Sequence, residues 1–111
     1  MEIIGETADG LEAVRIAHEL QPDLILLDIR LTTLNGIKAA RQIHELSPNS
    51  KILFVSQESS SDFVKEAFRL GASGYVIKSA VRTELPAALN TVLRGGKFLG
   101  SRFAGRVFPE L

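Results

Sequence analysis

The sequence predicts a doubly wound α/β domain with a parallel sheet, and three observations carry that expectation. Short apolar runs recur at near-regular intervals, at residues 2–5, 23–27, 51–55 and 74–77. Two of them, Leu24, Ile25, Leu26, Leu27 and Ile52, Leu53, Phe54, Val55, are apolar throughout and do not alternate, as in parallel strands buried on both faces. Such strands require helices on both sides of the sheet. Segments of helical period separate the runs, and a strand-helix unit repeated four times implies right-handed crossovers.

Each element has its own signals. The first helix opens at Asp9, with Glu12 three residues on as a capping-box partner, and carries an apolar stripe of Ala13, Val14, Ala17 and Leu20. The second follows Asn35 and Gly36, aligns Ile37, Ala40, Ile43 and Leu46 on one face and Lys38, Arg41 and Glu45 on the other, and is limited by Pro48. The third is expected to start within Ser59, Ser60, Ser61 and Asp62, to bury Val64, Ala67 and Phe68, and to stop at Gly71. The fourth starts near Thr83, with Pro86 in a first turn where a missing amide costs little. It buries Leu85, Ala88, Leu89, Val92 and Leu93 and ends at Gly95 and Gly96. Residues 97–111 read as a tail or the start of a linker, and the domain is bounded at 1–99 with 100–111 outside it.

A chain of 111 residues suits one domain, and an apolar content of 45% is enough for a core. Without cysteine there is neither a disulfide framework nor a thiolate metal site. No apolar run approaches the ~20 residues of a membrane-spanning helix, and the first residues lack a secretory pattern, so a cytoplasmic protein is expected. The formal net charge of zero argues against direct binding to nucleic acid, although Arg94, Lys97, Arg102 and Arg106 gather late in the chain against Glu110 alone.

Open parallel sheets bind ligands at the carboxyl ends of their strands. The residues that follow the last three apolar runs are Asp28, Ser56 and Lys78. A lone polar residue in such a place is ordinarily a boundary residue, but a carboxylate, a hydroxyl and an ammonium together suit phosphoryl transfer to an aspartate. Asp28 would attack phosphorus, and Ser56 and Lys78 would stabilise the charge spread over the transferred group. His18 and His44 fall in helices and read as surface or boundary residues, and the glycines form no G-x-G-x-x-G nucleotide loop.

With those residues in place, a family resemblance becomes specific. Residues 26–36 run from Leu26 and Leu27 through Asp28, Ile29, Arg30 and Leu31 to Asn35 and Gly36, with Thr32 where a Pro is usual. This segment resembles the phosphoacceptor signature of the receiver domains of two-component response regulators. Residues 52–56 resemble the fourth receiver strand ending in its switch Ser or Thr, and residues 71–78 the fifth strand with its switch aromatic, Tyr75, and its lysine, Lys78. Ser79 and Ala80 after the lysine, with residues 93–99, resemble regulators that carry a LuxR-type helix-turn-helix output.

The resemblance covers residues 2–99 and implies a flavodoxin-like (CheY-like) fold lacking the first strand and first helix. In the family that first strand is central and supplies an acidic pair for Mg²⁺. The pair has no counterpart here, and Asp28 with the backbone carbonyl of Arg30 makes a poor site for a hard cation. Two outcomes are open for the sheet. The Ile3 strand could move beside the Asp28 strand and bring Glu6 or Asp9 near it, or a gap could persist and favour pairing with another chain, the outcome towards which the sequence leans.

The resemblance further implies phosphorylation of Asp28 by a sensor histidine kinase, a homodimer, and DNA binding only through an output domain, without catalysis of an enzyme's kind. The alternative is a degenerate, unphosphorylated receiver serving as an interaction or dimerisation module. A small flavodoxin-like enzyme is a weaker third reading, because no Gly-rich phosphate loop follows a strand.

Overall fold

A computed structural model describes residues 3–7, 10–29, 33–57 and 61–100. Five strands and four helices alternate: β1 (Ile3–Thr7), α1 (Gly10–Leu20), β2 (Leu24–Ile29), α2 (Thr33–Leu46), β3 (Lys51–Ser56), α3 (Ser61–Arg69), β4 (Gly74–Ile77), α4 (Val81–Leu93) and β5 (Phe98–Leu99). A 3-10 turn, Lys78–Ala80, joins β4 to α4. The sheet is parallel throughout, and its strands lie side by side in chain order, β1-β2-β3-β4-β5.

The Ile3 strand therefore sits directly beside the Asp28 strand. Of the two arrangements considered, the sheet takes the closed one, and the association argument that rested on a gap loses its ground. The seam is not uniform. Ile3 and Ile4 pair with Leu24 and Ile25, but Thr7 pairs with Leu27, a slip of one residue, whereas β2 and β3 pair without a break from Leu24↔Lys51 to Ile29↔Ser56.

Alternation along the central strands divides the core between two faces. On one, Ile25, Leu27, Ile52, Phe54, Tyr75 and Ile77 pack beneath Ala13 and Ala17 of α1, Ala39, Ala40 and Ile43 of α2, and Val64, Ala67 and Phe68 of α3. On the other, Leu53 and Val76 meet Ala88, Val81, Leu85 and Leu89 of α4. Each fully buried Leu, Ile, Val or Phe contributes about 1.5–3 kcal/mol, so these two layers are the main source of stability. The domain is doubly wound as expected. The strands advance in one direction across the sheet while α4 alone lies on the second face, so the β4-α4-β5 connection has the opposite hand to the three before it.

Several boundaries differ from expectation. Phe98–Leu99 is a fifth strand, held by Phe98 N–H to the Ser73 carbonyl at 3.0 Å and Gly100 N–H to the Tyr75 carbonyl at 3.1 Å. The helix of α2 begins at Thr33, before Asn35 and Gly36, because first-turn amides lack helical acceptors in any case and neither residue obstructs them there. In α4, which begins at Val81, Pro86 is the sixth residue and lies beyond the first turn. The Arg82 carbonyl forgoes its helical bond, and Arg82 is exposed. Leu20 and Leu46, expected to be buried, are 50% and 43% exposed, since each is the last residue of its helix and extends past the neighbouring elements.

Helix ends are closed by local chemistry. Gly71, at φ 110°, ends α3 in a Schellman motif, with Ala72 N–H bonding to Ala67 and Gly71 N–H to Phe68. Gly95, at φ 92°, repeats the pattern after α4. After α1 that position falls to Gln21, at φ 47°. Its side-chain Nε2 donates to the Ala17 and His18 carbonyls of α1 and to the Leu46 carbonyl of α2, each at 3.1 Å. Ser47 Oγ donates to Gln21 Oε1 at 3.3 Å and lies 2.6 Å from Ser50 Oγ, which in turn bonds to the Pro22 carbonyl. One amide thus joins the carboxyl ends of two helices at the edge of the sheet opposite Asp28.

Candidate functional site

Asp28 is the penultimate residue of β2, Ser56 the last of β3, and Lys78 the first after β4. Register relates them level by level: Asp28 pairs with Val55, while Ile29, Ser56 and Ile77 share the next level. Lys78 stands one level further on. Neighbouring strands lie about 4.8 Å apart and residues rise about 3.3 Å along a strand, so the Asp28 and Lys78 backbones are separated by roughly 12 Å. The backbones of the three sequence-chosen residues therefore stand at neighbouring strand ends on the carboxyl edge.

The hydroxyl is held differently from the ammonium. Ser56 is 1% exposed and shares its face with Phe54 and Ile77, beneath the α1–α3 layer. Lys78 opens the 3-10 turn and is half-buried. A hydroxyl fixed by burial and a partly solvated cation suit the stabilisation of a negatively charged group arriving at this edge. The side chains of Asp28 and Glu6, the Arg30 carbonyl and Asp9 lie outside what the structure describes.

Tyr75 is fully buried in the centre of β4, with its ring centroid 5.9 Å from that of Phe54 and the planes tilted by 34°. All four residues of β4 are buried, so the strand around Tyr75 offers no side chain to an association surface. His18 and His44 are exposed, as expected. Sequence reasoning passed over Glu84, in the first turn of α4. Its Oε1 is buried and would lie 2.8 Å from a Cβ at Gly100, so a carboxylate lies against the chain where β5 ends. On the outer surface of α3, Arg69 grips Glu66 through both nitrogen-oxygen pairs, with Nε to Oε1 at 2.9 Å. That hydrogen bonding, with the positive charges of Arg69 and Arg41, holds the Glu66 carboxyl below its ordinary value.

A resident Mg²⁺ finds no fit among the described residues. No three His, Cys, Asp or Glu side chains converge there, and a hard cation requires several oxygen ligands. Ser56 supplies one hydroxyl to this edge, and Lys78 brings a like charge.

A doubly wound parallel α/β domain with an aspartate, a serine and a lysine at three adjacent strand ends is of the class whose sites lie on the carboxyl edge of the sheet. The chain matches the family model of the response regulator receiver domain over residues 1–90, and it is a member of that family. It is 35% identical, over all of its length, to the transcriptional regulatory protein LiaR of Bacillus subtilis (strain 168), covering 53% of that protein. It is 32% identical to the oxygen regulatory protein NreC of Staphylococcus carnosus (strain TM300), with 99% of the chain and 51% of that protein covered. Among solved structures, a LuxR-family two-component response regulator from Aurantimonas sp. SI85-9A1 superposes with a TM-score of 0.80 at 36% identity, over 88% of this chain and 70% of that one. The chain spans about half the length of the curated relatives it matches. Among the described residues, no helix is long and apolar enough to cross a membrane.

Proposed function

We propose that this receiver domain accepts a phosphoryl group on Asp28 from a sensor histidine kinase and passes the event to an output that regulates transcription. An Asp28 oxygen forms the new bond to phosphorus as the bond to the donor breaks. Lys78 offsets charge on the phosphoryl oxygens, and Ser56 donates a hydrogen bond to one of them. The observation that carries this reading is the register, which sets Asp28, Ser56 and Lys78 on three neighbouring strands within successive levels. The response then runs from Ser56 into the layer that Phe54 and Tyr75 form under α3, a shift between two populated arrangements.

The protein acts in the cytoplasm as a homodimer, with contacts drawn from α3 and the outer face of α4, and reaches DNA through an output domain outside residues 1–99. It works as a switch and not as an enzyme. Light scattering tests the dimer, and a single monomeric species at high micromolar concentration refutes it.

The test of the reading is intact-mass measurement after treatment with acetyl phosphate. One phosphoryl mass is expected, absent from Asp28→Asn, and its build-up is slow with or without Mg²⁺, because the described residues form no cation site. The same observation favours a second reading, an unphosphorylated receiver used only for protein association. No phosphoryl mass at any time would decide for it.

A further inference from the structure

On the second face of the sheet α4 rests on β3, β4 and β5. Its Glu84 lies against Gly100 and its Thr91 against Gly96, so that flank faces β5. Helical spacing puts Leu85, Leu89 and Leu93, all half-buried, on the opposite flank, towards β2. Because Ile25 and Leu27 face the first layer, alternation turns Leu24 and Leu26 to the second. An apolar groove thus runs beside α4 over β2, with the half-buried Leu26 in its floor. Leu24, at its amino end, belongs to neither packed layer among the described residues, yet it is 0% exposed. Its cover comes from elsewhere in the chain. Residues 8–9, 30–32 and 58–60 join strands at the carboxyl edge, away from Leu24, and residues 1–2 are two alone. Residues 101–111 are the one long segment that remains.

The distances select a conformation for that segment. Gly100 N–H bonds to the Tyr75 carbonyl at 3.1 Å, and register through β4 and β3 sets Gly100 level with Asp28. From there the groove is three strand spacings away, about 14 Å, and Leu24 is four residues down β2, about 13 Å further. The path must also round the first turn of α4. Eleven residues span about 36 Å when extended but only about 16 Å as a helix, so an extended segment alone covers it. In an extended chain Phe103, Val107 and Leu111 share one face, and Arg102, Arg106 and Glu110 share the other.

We propose that residues 101–111 form an extended strap that rounds the start of α4 and fills the groove over β2, with Phe103, Val107 and Leu111 turned inward. The strap completes the second layer, so the domain reaches Leu111 and does not end at Leu99. Its tether to β5 holds it near the groove at a high effective concentration, an advantage that a second copy of the chain lacks. The inference goes beyond the phosphoacceptor reading and does not depend on it.

The chain has no cysteine, so introduced thiols report on the strap without interference. In the full chain, Leu85→Cys with Val107→Cys is oxidised, and Ala87→Cys with Val107→Cys is the control. Ala87 is exposed on the flank of α4 nearer β5, where a free tail would reach it at least as readily as Leu85. The expected result is a disulfide within the monomer that forms several-fold faster in the Leu85 pair, read by intact mass and by a gel without reductant. Equal rates, a faster control, or a Leu85 pair that bonds only between two chains overturns the proposal. Urea midpoints of the full chain decide if a cysteine variant fails to fold. Val107→Asp should lower the midpoint and Arg106→Asp should leave it in place, whereas equal midpoints for both variants overturn the strap.

Discussion

Replacing Gln21 by alanine removes one amide from the ends of two helices. Nε2 donates to three carbonyls, those of Ala17, His18 and Leu46, but its two hydrogens make at most two good bonds, so one is shared. At about 0.5–1.5 kcal/mol net for each bond, the loss comes to about 1–3 kcal/mol. For a domain of this size that lowers the melting temperature by roughly 5–15 °C. The backbone term separates this account from a general intolerance of change. Gln21 sits at φ 47°, where a Cβ costs about 1 kcal/mol that glycine avoids. Gln21→Gly should therefore be more stable than Gln21→Ala by about that amount, yet less stable than the parent. Gln21→Asn tolerates the backbone but is one methylene short of Leu46, and should also fall between the parent and alanine. Urea titrations followed by Tyr75 emission give all four midpoints. An alanine variant as stable as the parent, or a glycine variant weaker than alanine, would refute the shared-cap reasoning.

Gly74→Ala places a Cβ 2.5 Å from Leu53 Cδ1 and 3.1 Å from Val92 Cγ2, which wedges α4 off the sheet; a loss of about 1–3 kcal/mol in a denaturant midpoint is expected. Gly71→Ala meets His44 Nδ1 at 2.9 Å and keeps φ at 110°, so it should lose about 1–2 kcal/mol, and trimming His44 to alanine should restore only the contact part. Glu66 has its carboxyl lowered from an ordinary 4.5, first by hydrogen bonds from Arg69. Its contribution is complete above the unfolded value and is lost as pH falls through the folded one. The stability gap between the parent and Glu66→Gln should therefore close in acid; because the pair is exposed, that gap is small, and one that widens as pH falls contradicts the assignment.

The parts of the domain that local pattern encodes were legible in advance. Continuous apolar runs at Leu24 and Ile52 marked strands buried on both faces, and the polar residue closing each run pointed to Asp28, Ser56 and Lys78, which register brings together. Gly71 read correctly as a helix stop because a left-handed terminus leaves a compositional trace. What remained hidden depends on partners distant in sequence. Two residues, Phe98 and Leu99, are too few to show a period, and they become a strand because β4 offers an edge. The seat of β1 beside β2 is a property of the whole sheet, and no residue between Ile3 and Thr7 announces it. Glu84 looked like one more charge on a helix, since nothing nearby in sequence tells that Gly100 will lie against its carboxylate. Leu20 and Leu46 fitted their apolar stripes, but a stripe does not say where the neighbouring element stops.

The strand order carries a meaning in time as well as in space. Each strand of the series β1-β2-β3-β4-β5 pairs with the one made immediately before it. Among these five strands no completed seam has to open to admit a later strand, and every new seam closes a loop of only one helix and its turns. Such short closures are quick, and they shorten the interval in which an unpaired edge could capture a neighbouring nascent chain. The β1–β2 seam, with its slip of register, is the one seam of β2 that lacks the unbroken pairing it makes with β3.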